Sequence, residues 1–300
     1  MSATILGARV GPLRQDLDAR WLMAYAAGLG ERDPRYYDTL AAGGPLAHPL
    51  FAVCYEWPAA VAMRDQTIPA HLQPRSVHAS HRLVIHRPPR AGDTLLITAR
   101  VTEVRARRSG TLVVTRFETV NAAGAPVTTT DYGSVYRGVS LADLGETPPG
   151  GETAAGAGEA GRAKAALSEE AAPAPVVASI GWHELVEVEA TRALVYTECA
   201  RIWNPIHTDV AVARAAGLHD PILHGTATLA LAVSRVVARA LDGEPRRVAE
   251  IHARFTGMVP LPSSFTVRGR AHDGRGVAFD AVGPDGRPVL GQGVVIACNR

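Results

Sequence analysis

Thr226–Ala240 is a run in which Ala, Leu and Val fall on nearly every helical face. A helix that is apolar all round is a buried one. Behind it lie four segments that read as strands: Ile251–Met258, Ser264–Ala271, Val277–Val282 and Pro288–Ala297, with turn signals at Asp273-Gly274 and Pro284-Asp285-Gly286. The first half shows the same order. A helix starting near Ala47 precedes strands predicted at Arg82–Arg87, Thr94–Val104, Thr111–Val120 and Val127–Tyr136, with turns at Arg108-Ser109-Gly110 and Ala123-Gly124. In both halves a polar opening segment, a short helix and a Pro-x-x-His loop come first. One buried helix followed by an antiparallel meander is an α+β plan in which the sheet wraps the helix.

The two halves share more than their order. Asn204-Pro205-Ile206-His207-Thr208-Asp209 has a degraded counterpart in Asp33-Pro34-Arg35-Tyr36-Tyr37-Asp38, and Pro221-Ile222-Leu223-His224 in Pro45-Leu46-Ala47-His48. Arg82-Leu83, Pro88 and Thr94-Leu95 match Arg254-Phe255, Pro260 and Thr266-Val267 at one constant offset. Gly124-Ala125-Pro126-Val127 matches Gly286-Arg287-Pro288-Val289. The chain therefore reads as a duplication, 1–140 and 179–300, with the two sheets expected to pair into one. That arrangement is a double hotdog.

Between the copies, 141–178, the composition turns to Ala, Gly, Glu and Pro with almost no large apolar side chain. Such a stretch cannot offset its ordering entropy by burial, and a flexible surface linker is expected. The 300 residues suit two domains of about 150 each. A net charge of +2 indicates neither a nucleic-acid binder nor a polybasic membrane protein. Cys54, Cys199 and Cys298 are too scattered for a disulfide framework or a CxxC zinc site, so reduced thiols and a cytoplasmic location are expected. Met1–Ile5 lacks the start of a signal peptide, and no window reads as a membrane span. His78, His81 and His86 cluster in one predicted strand region, with no acidic or Cys partner at ligand spacing, so no metal and no cofactor are expected.

Asn204-Pro205-Ile206-His207, then Asp209, then Ile222-Leu223-His224-Gly225, resembles the MaoC-like family of (R)-specific enoyl-thioester hydratases and dehydratases. The resemblance covers nearly the whole chain. Tyr25-Ala26-Ala27-Gly28 and His86-Arg87-Pro88-Pro89-Arg90-Ala91-Gly92-Asp93 are similar to the N-terminal half of the fused, two-hotdog members. It implies water adding to a trans-2-enoyl thioester, or leaving a (3R)-hydroxyacyl thioester, carried by CoA or an acyl carrier protein. It places the catalytic histidine at His207, the loop asparagine at Asn204 and the oxyanion donor at Gly225. The family aspartate, two residues before the asparagine, has no counterpart, because Ile202 stands there.

Candidate stand-ins for that acid are Asp209, which also fits a helix N-cap, and Glu198 on a predicted strand. Glu31 would sit in a vestigial second site beside Tyr36. Trp203, His224 and Thr226 are expected to contact substrate, although Trp203 could equally pack under the loop and His224 could hold backbone near the helix start. Missing the aspartate, the chain could also be a diverged thioester-pocket enzyme (a polyketide-type cyclase, an isomerase or another lyase), a non-catalytic acyl-binding subunit, or a thioesterase. A homodimer of double hotdogs and a pseudo-dimeric monomer both fit the duplication.

Overall fold

The computed structural model describes residues 4–146, 181–272 and 276–298. In chain order the first copy runs β1 (Arg9–Asp16), α1 (Ala19–Leu29), α2 (Ala52–Thr67), β2 (Ser76–Ile85), β3 (Thr94–Arg107), β4 (Gly110–Asn121) and β5 (Pro126–Arg137). The second runs β6 (Trp182–Val188), α3 (Arg192–Ala200), α4 (Val210–Ala215), α5 (Gly225–Ala240), β7 (Val248–Phe255), β8 (Ser263–His272), β9 (Gly276–Val282) and β10 (Pro288–Ala297).

The strands make one antiparallel sheet of ten in the order β1-β3-β4-β5-β2-β7-β10-β9-β8-β6. Read from either end, the order is the same with the copies exchanged. The midpoint is the pairing of β2 with β7, where Arg82 faces His252 and Leu83 faces Ile251. The α+β double hotdog is the fold.

The meander expectation needs one correction. β3, β4 and β5 form it, but β2 crosses to the far side of β5 and becomes the seam. β1 and β6 were not anticipated: their exposed positions hide the alternation that places Val186 and Val188 in the core. β2 begins at Ser76, six residues before the expected start at Arg82, and α2 begins at Ala52 rather than near Ala47.

Each helix packs on its own sheet half. Under α2 lie Leu83, Leu95, Ile97 and Phe117; under α5 lie Ile251, Phe265, Val267 and Leu290, all at most 1% exposed. α1 and α3 then pack on each other. Their equivalent tyrosines, Tyr25 and Tyr196, meet with ring centroids 5.8 Å apart. Gly28 makes the close approach possible, since a Cβ there would stand 2.8 Å from Cys199 Cβ.

The first copy continues past its expected end. Ala142–Leu144 forms a 3₁₀ turn with Leu144 buried, and Glu146 Oε1 accepts from Thr4 Oγ1 and Ile5 N at 2.6 Å. So 141–146 belongs to the domain and not to a linker. The remainder of the expected linker, apart from its boundary, lies outside the described residues.

Candidate active site

The Asn-Pro loop is set by how α3 ends. Arg201 takes a left-handed conformation, φ 58°, as Gly30 does at φ 76° after α1. The chain then turns through Ile202 and Trp203 into the 3₁₀ turn Pro205–His207, with proline at its first position. His207 Nδ1 lies 2.9 Å from the carbonyl oxygen of Ile222. A nitrogen facing a carbonyl must carry the proton, so Nε2 is left as the bare, basic nitrogen. The ring also stacks on His224 at 3.7 Å. Burial pushes His207 down to about 4, against the smaller raising effect of Ile222, so the imidazole is neutral at pH 7.

His224 caps α5 by position, and its Nε2 lies 3.2 Å from Thr197 Oγ1. Burial first, and His207 second, hold His224 well below the ordinary histidine value. Gly225 is the first residue of α5, where backbone N–H groups have no partner inside the helix. A Cβ at Gly225 would press to 3.1 Å from the Phe255 ring. Tyr196 OH donates to Thr226 Oγ1 at 3.1 Å, fixing the second residue of the helix.

Asn204, His207, His224, Gly225 and Thr226 line one cavity of about 590 Å³. Its far wall comes from the first copy, from α2, β2, β4 and β5. Ile202, 4% exposed, lines the same cavity at the place where the acid is missing.

Neither stand-in acid reaches the cavity. Asp209 is the N-cap of α4, accepting from Ala211 N at 2.8 Å and Val212 N at 3.1 Å. Glu198 lies on α3 and not on a strand, with its side chain in solvent. Trp203 turns outward, 60% exposed, and lines neither the cavity nor the underside of the loop. Sequence reasoning missed the first-copy residues of the wall, above all Glu56, His81 and Tyr132. The signals were a carboxylate near the start of a buried helix and an unbroken polar alternation from Thr128 to Tyr136.

The first copy's loop keeps the shape of a site without its chemistry. Glu31, Asp33 and Tyr36 stand where Ile202, Asn204 and His207 stand in the second copy. Asp33 is held by Arg35 at 2.6 Å, whereas Asn204 occupies the same cap position with no side-chain bond to its turn. His48 Nδ1 accepts from Leu50 N at 3.1 Å, so its Nε2–H donates to Ser234 Oγ, also at 3.1 Å. Ser234 in turn hydrogen-bonds Glu31. This resembles a nucleophile–base–acid set, but its polarity is wrong: the histidine gives a proton to the serine and cannot take one. Burial pushes the Glu31 carboxyl up, partly offset by Ser234 and Arg235.

Among the described residues no group of three or more His, Cys, Asp or Glu side chains could hold a metal ion. His86 is exposed, with Nε2 3.0 Å from Thr129 Oγ1, apart from His78 and His81. Nor is any described helix long and apolar enough to cross a membrane.

Both copies are similar to known proteins. The MaoC like domain matches residues 184–281, and the FAS1-like dehydratase domain region matches residues 4–130. Enoyl-CoA hydratase ChsH3 of Mycobacterium tuberculosis is 26% identical over 287 residues, covering 93% of this chain and 92% of that protein. 3-Hydroxyacyl-thioester dehydratase Y of the same organism is 39% identical over 98 residues, 31% of this chain and 34% of that protein. A crystal structure of a MaoC-like dehydratase from Phytophthora capsici superposes with a TM-score of 0.78 at 20% identity, over 99% of this chain and 97% of that one. The chain thus carries a MaoC-like dehydratase domain in its second copy and a FAS1-like dehydratase region in its first, with a full-length relative across both.

Proposed function

We propose that the protein is a hydro-lyase acting on enoyl and (3R)-hydroxyacyl thioesters of CoA or an acyl carrier protein, with one active site, in the second copy. The observation that carries this is His207, its Nε2 bare, in the same cavity as the N-terminus of α5. In hydration, water oxygen bonds to C3 while its proton passes to His207 Nε2. A proton returned by the imidazolium to C2 completes the addition. Between those events the thioester oxygen carries negative charge, which the Gly225 N–H and the helix dipole stabilise. Asn204 orients the water or the thioester. Dehydration is the same path reversed.

A single chain holds a pair of hotdogs and is a sufficient catalytic unit, whether or not it dimerises further. We place it in the cytosol, in keeping with three free cysteines.

His207→Gln tests the assignment. The variant should fold, since His207 is only half-buried, yet hydrate crotonyl-CoA about 10²–10⁴ more slowly, the usual worth of a general acid–base group. Undiminished turnover would remove His207 from the chemistry. Ile202 favours a second reading, a cyclase, isomerase or non-catalytic acyl-binding subunit on the same pocket. That reading predicts thioester binding without loss of the enoyl absorbance.

A further inference from the structure

The first copy brings polar side chains of its own to the cavity. In the first copy the inward positions of β5 are Thr128, Thr130, Tyr132, Ser134 and Tyr136. Thr130 Oγ1 donates to Glu56 at 2.8 Å, and Glu56 is 3% exposed. Plain alternation would send His78 and His81 to opposite faces of β2. A bulge between His78 and Ser80 turns both inward instead. His78 stacks on Tyr132 at 3.8 Å, and His81 lies beside it at 5.4 Å between centroids. His81 is 1% exposed, and neither of its ring nitrogens has a hydrogen-bond partner among the described residues.

The second copy serves as an internal control. Counting from the paired histidines His48 and His224, Glu56 corresponds to Ala232; counting from Arg82 and Arg254, His81 corresponds to Ala253. Both alanines are fully buried. The fold therefore does not require polar groups at these places. Nor are they remote from the reaction. The Gly225 backbone abuts Phe255, the Phe255 ring lies 4.2 Å from His78, and His78 adjoins His81.

A polymethylene tail in this space would leave His81 with an unpaired donor and an unpaired acceptor. Each unmade bond at a buried group costs on the order of tenfold or more in affinity. A site built this way rejects an analogue that lacks the matching group. The buried groups at this end carry no net charge at pH 7, and an ion of either sign would lose its hydration here without a counter-charge.

We propose that the first-copy end of the cavity is an acyl-selecting subsite. It takes a thioester whose acyl group bears a neutral oxygen substituent, a hydroxyl or carbonyl, away from the thioester. His81 is the residue that reads this substituent. The inference deepens the hydro-lyase reading and rests on it for the thioester. Burial holds His81 down to about 4, so the ring offers one N–H and one bare nitrogen at pH 7.

Saturated acyl-CoAs, which cannot be hydrated, test the subsite apart from the reaction. Titration calorimetry of the full chain would compare hexanoyl-, octanoyl-, decanoyl- and dodecanoyl-CoA with their ω-hydroxy counterparts. At one or more lengths the hydroxylated ligand should bind at least about tenfold more tightly, and His81→Phe should abolish that preference while binding the plain chain as well or better. Equal or better binding of the plain chains by the wild type at every length would overturn the proposal without any help from the variant. So would a preference that survives in folded His81→Phe. Hydration of crotonyl-CoA alongside either negative result would leave the hydro-lyase reading standing. Binding of neither series would remove the thioester itself.

Discussion

Ile202→Asp should trade stability for rate. The Ile202 side chain is 4% exposed, and burying such a side chain contributes roughly 1.5–3 kcal/mol. Much of that is lost with aspartate, and the same amount with asparagine, which has nearly the same shape but cannot act as a base. Ile202→Asn is therefore the control for packing. A carboxylate at this position shares the cavity with His207 and can take the water proton while the histidine serves C2. One general acid–base group is worth about 10²–10⁴ in rate, or roughly 2.7–5.5 kcal/mol off the barrier. The gain in transition-state stabilisation is thus roughly twice the loss of folding stability, and opposite in sign. Apolar walls raise the pKa of the introduced carboxyl, so the gain should grow as pH rises and the group ionises. Loss of the enoyl absorbance of crotonyl-CoA and trans-2-octenoyl-CoA reads the rate, and urea denaturation reads the stability. A folded Ile202→Asp protein that hydrates no faster than wild type or Ile202→Asn at any pH would refute the placement of the missing base.

Glu56 makes stability depend on pH. Burial raises its carboxyl from 4.5 to about 8, against the lowering effect of Thr130 and Thr128. Between those values the folded chain keeps a proton that the unfolded chain has released. The contribution of Glu56 to stability is therefore fully present below 4.5 and is lost as pH rises towards about 8. Glu56→Gln should flatten that decline by a few kcal/mol, at about 1.4 kcal/mol per unit; an unchanged slope in thermal unfolding across this range would count against a protonated Glu56. Gly28→Ala should lower stability by about 1–3 kcal/mol through overpacking at the α1–α3 crossing. Adding Cys199→Gly should restore part of the loss, and strict additivity of the two changes would show that the contact does not matter.

The duplication was legible because its anchors are residues with local jobs. Proline and aspartate shape the loops, and Pro-x-x-His precedes each helix. The strands after the first helix were legible because β-branched runs end at Gly-containing turns. β1 and β6 were not, since they pair with the sheet along one edge and carry charged or polar side chains at the other positions. Glu198 was misplaced because Tyr196-Thr197-Glu198-Cys199 has strand-like composition, while its tertiary contact with α1 holds it helical. Within the site, His207, Asn204 and Gly225 follow from one contiguous motif and its spacing to the helix. Glu56 and His81 come from the other copy, more than a hundred residues away, and His81 enters through a bulge that no periodicity announces.

Joining two hotdogs in one chain at the β2–β7 seam has a genetic consequence. In a symmetric homodimer every codon is expressed twice, so a histidine placed in one subunit to suit one cavity is also present in the other subunit, whatever is needed there. The fused chain escapes that coupling. Position 81 can be histidine while position 253 stays alanine, and position 207 can be histidine while position 36 is tyrosine. One copy is thereby free to specialise in the reaction and the other in the remainder of the substrate. Selection can then change what is recognised without disturbing what is done to it.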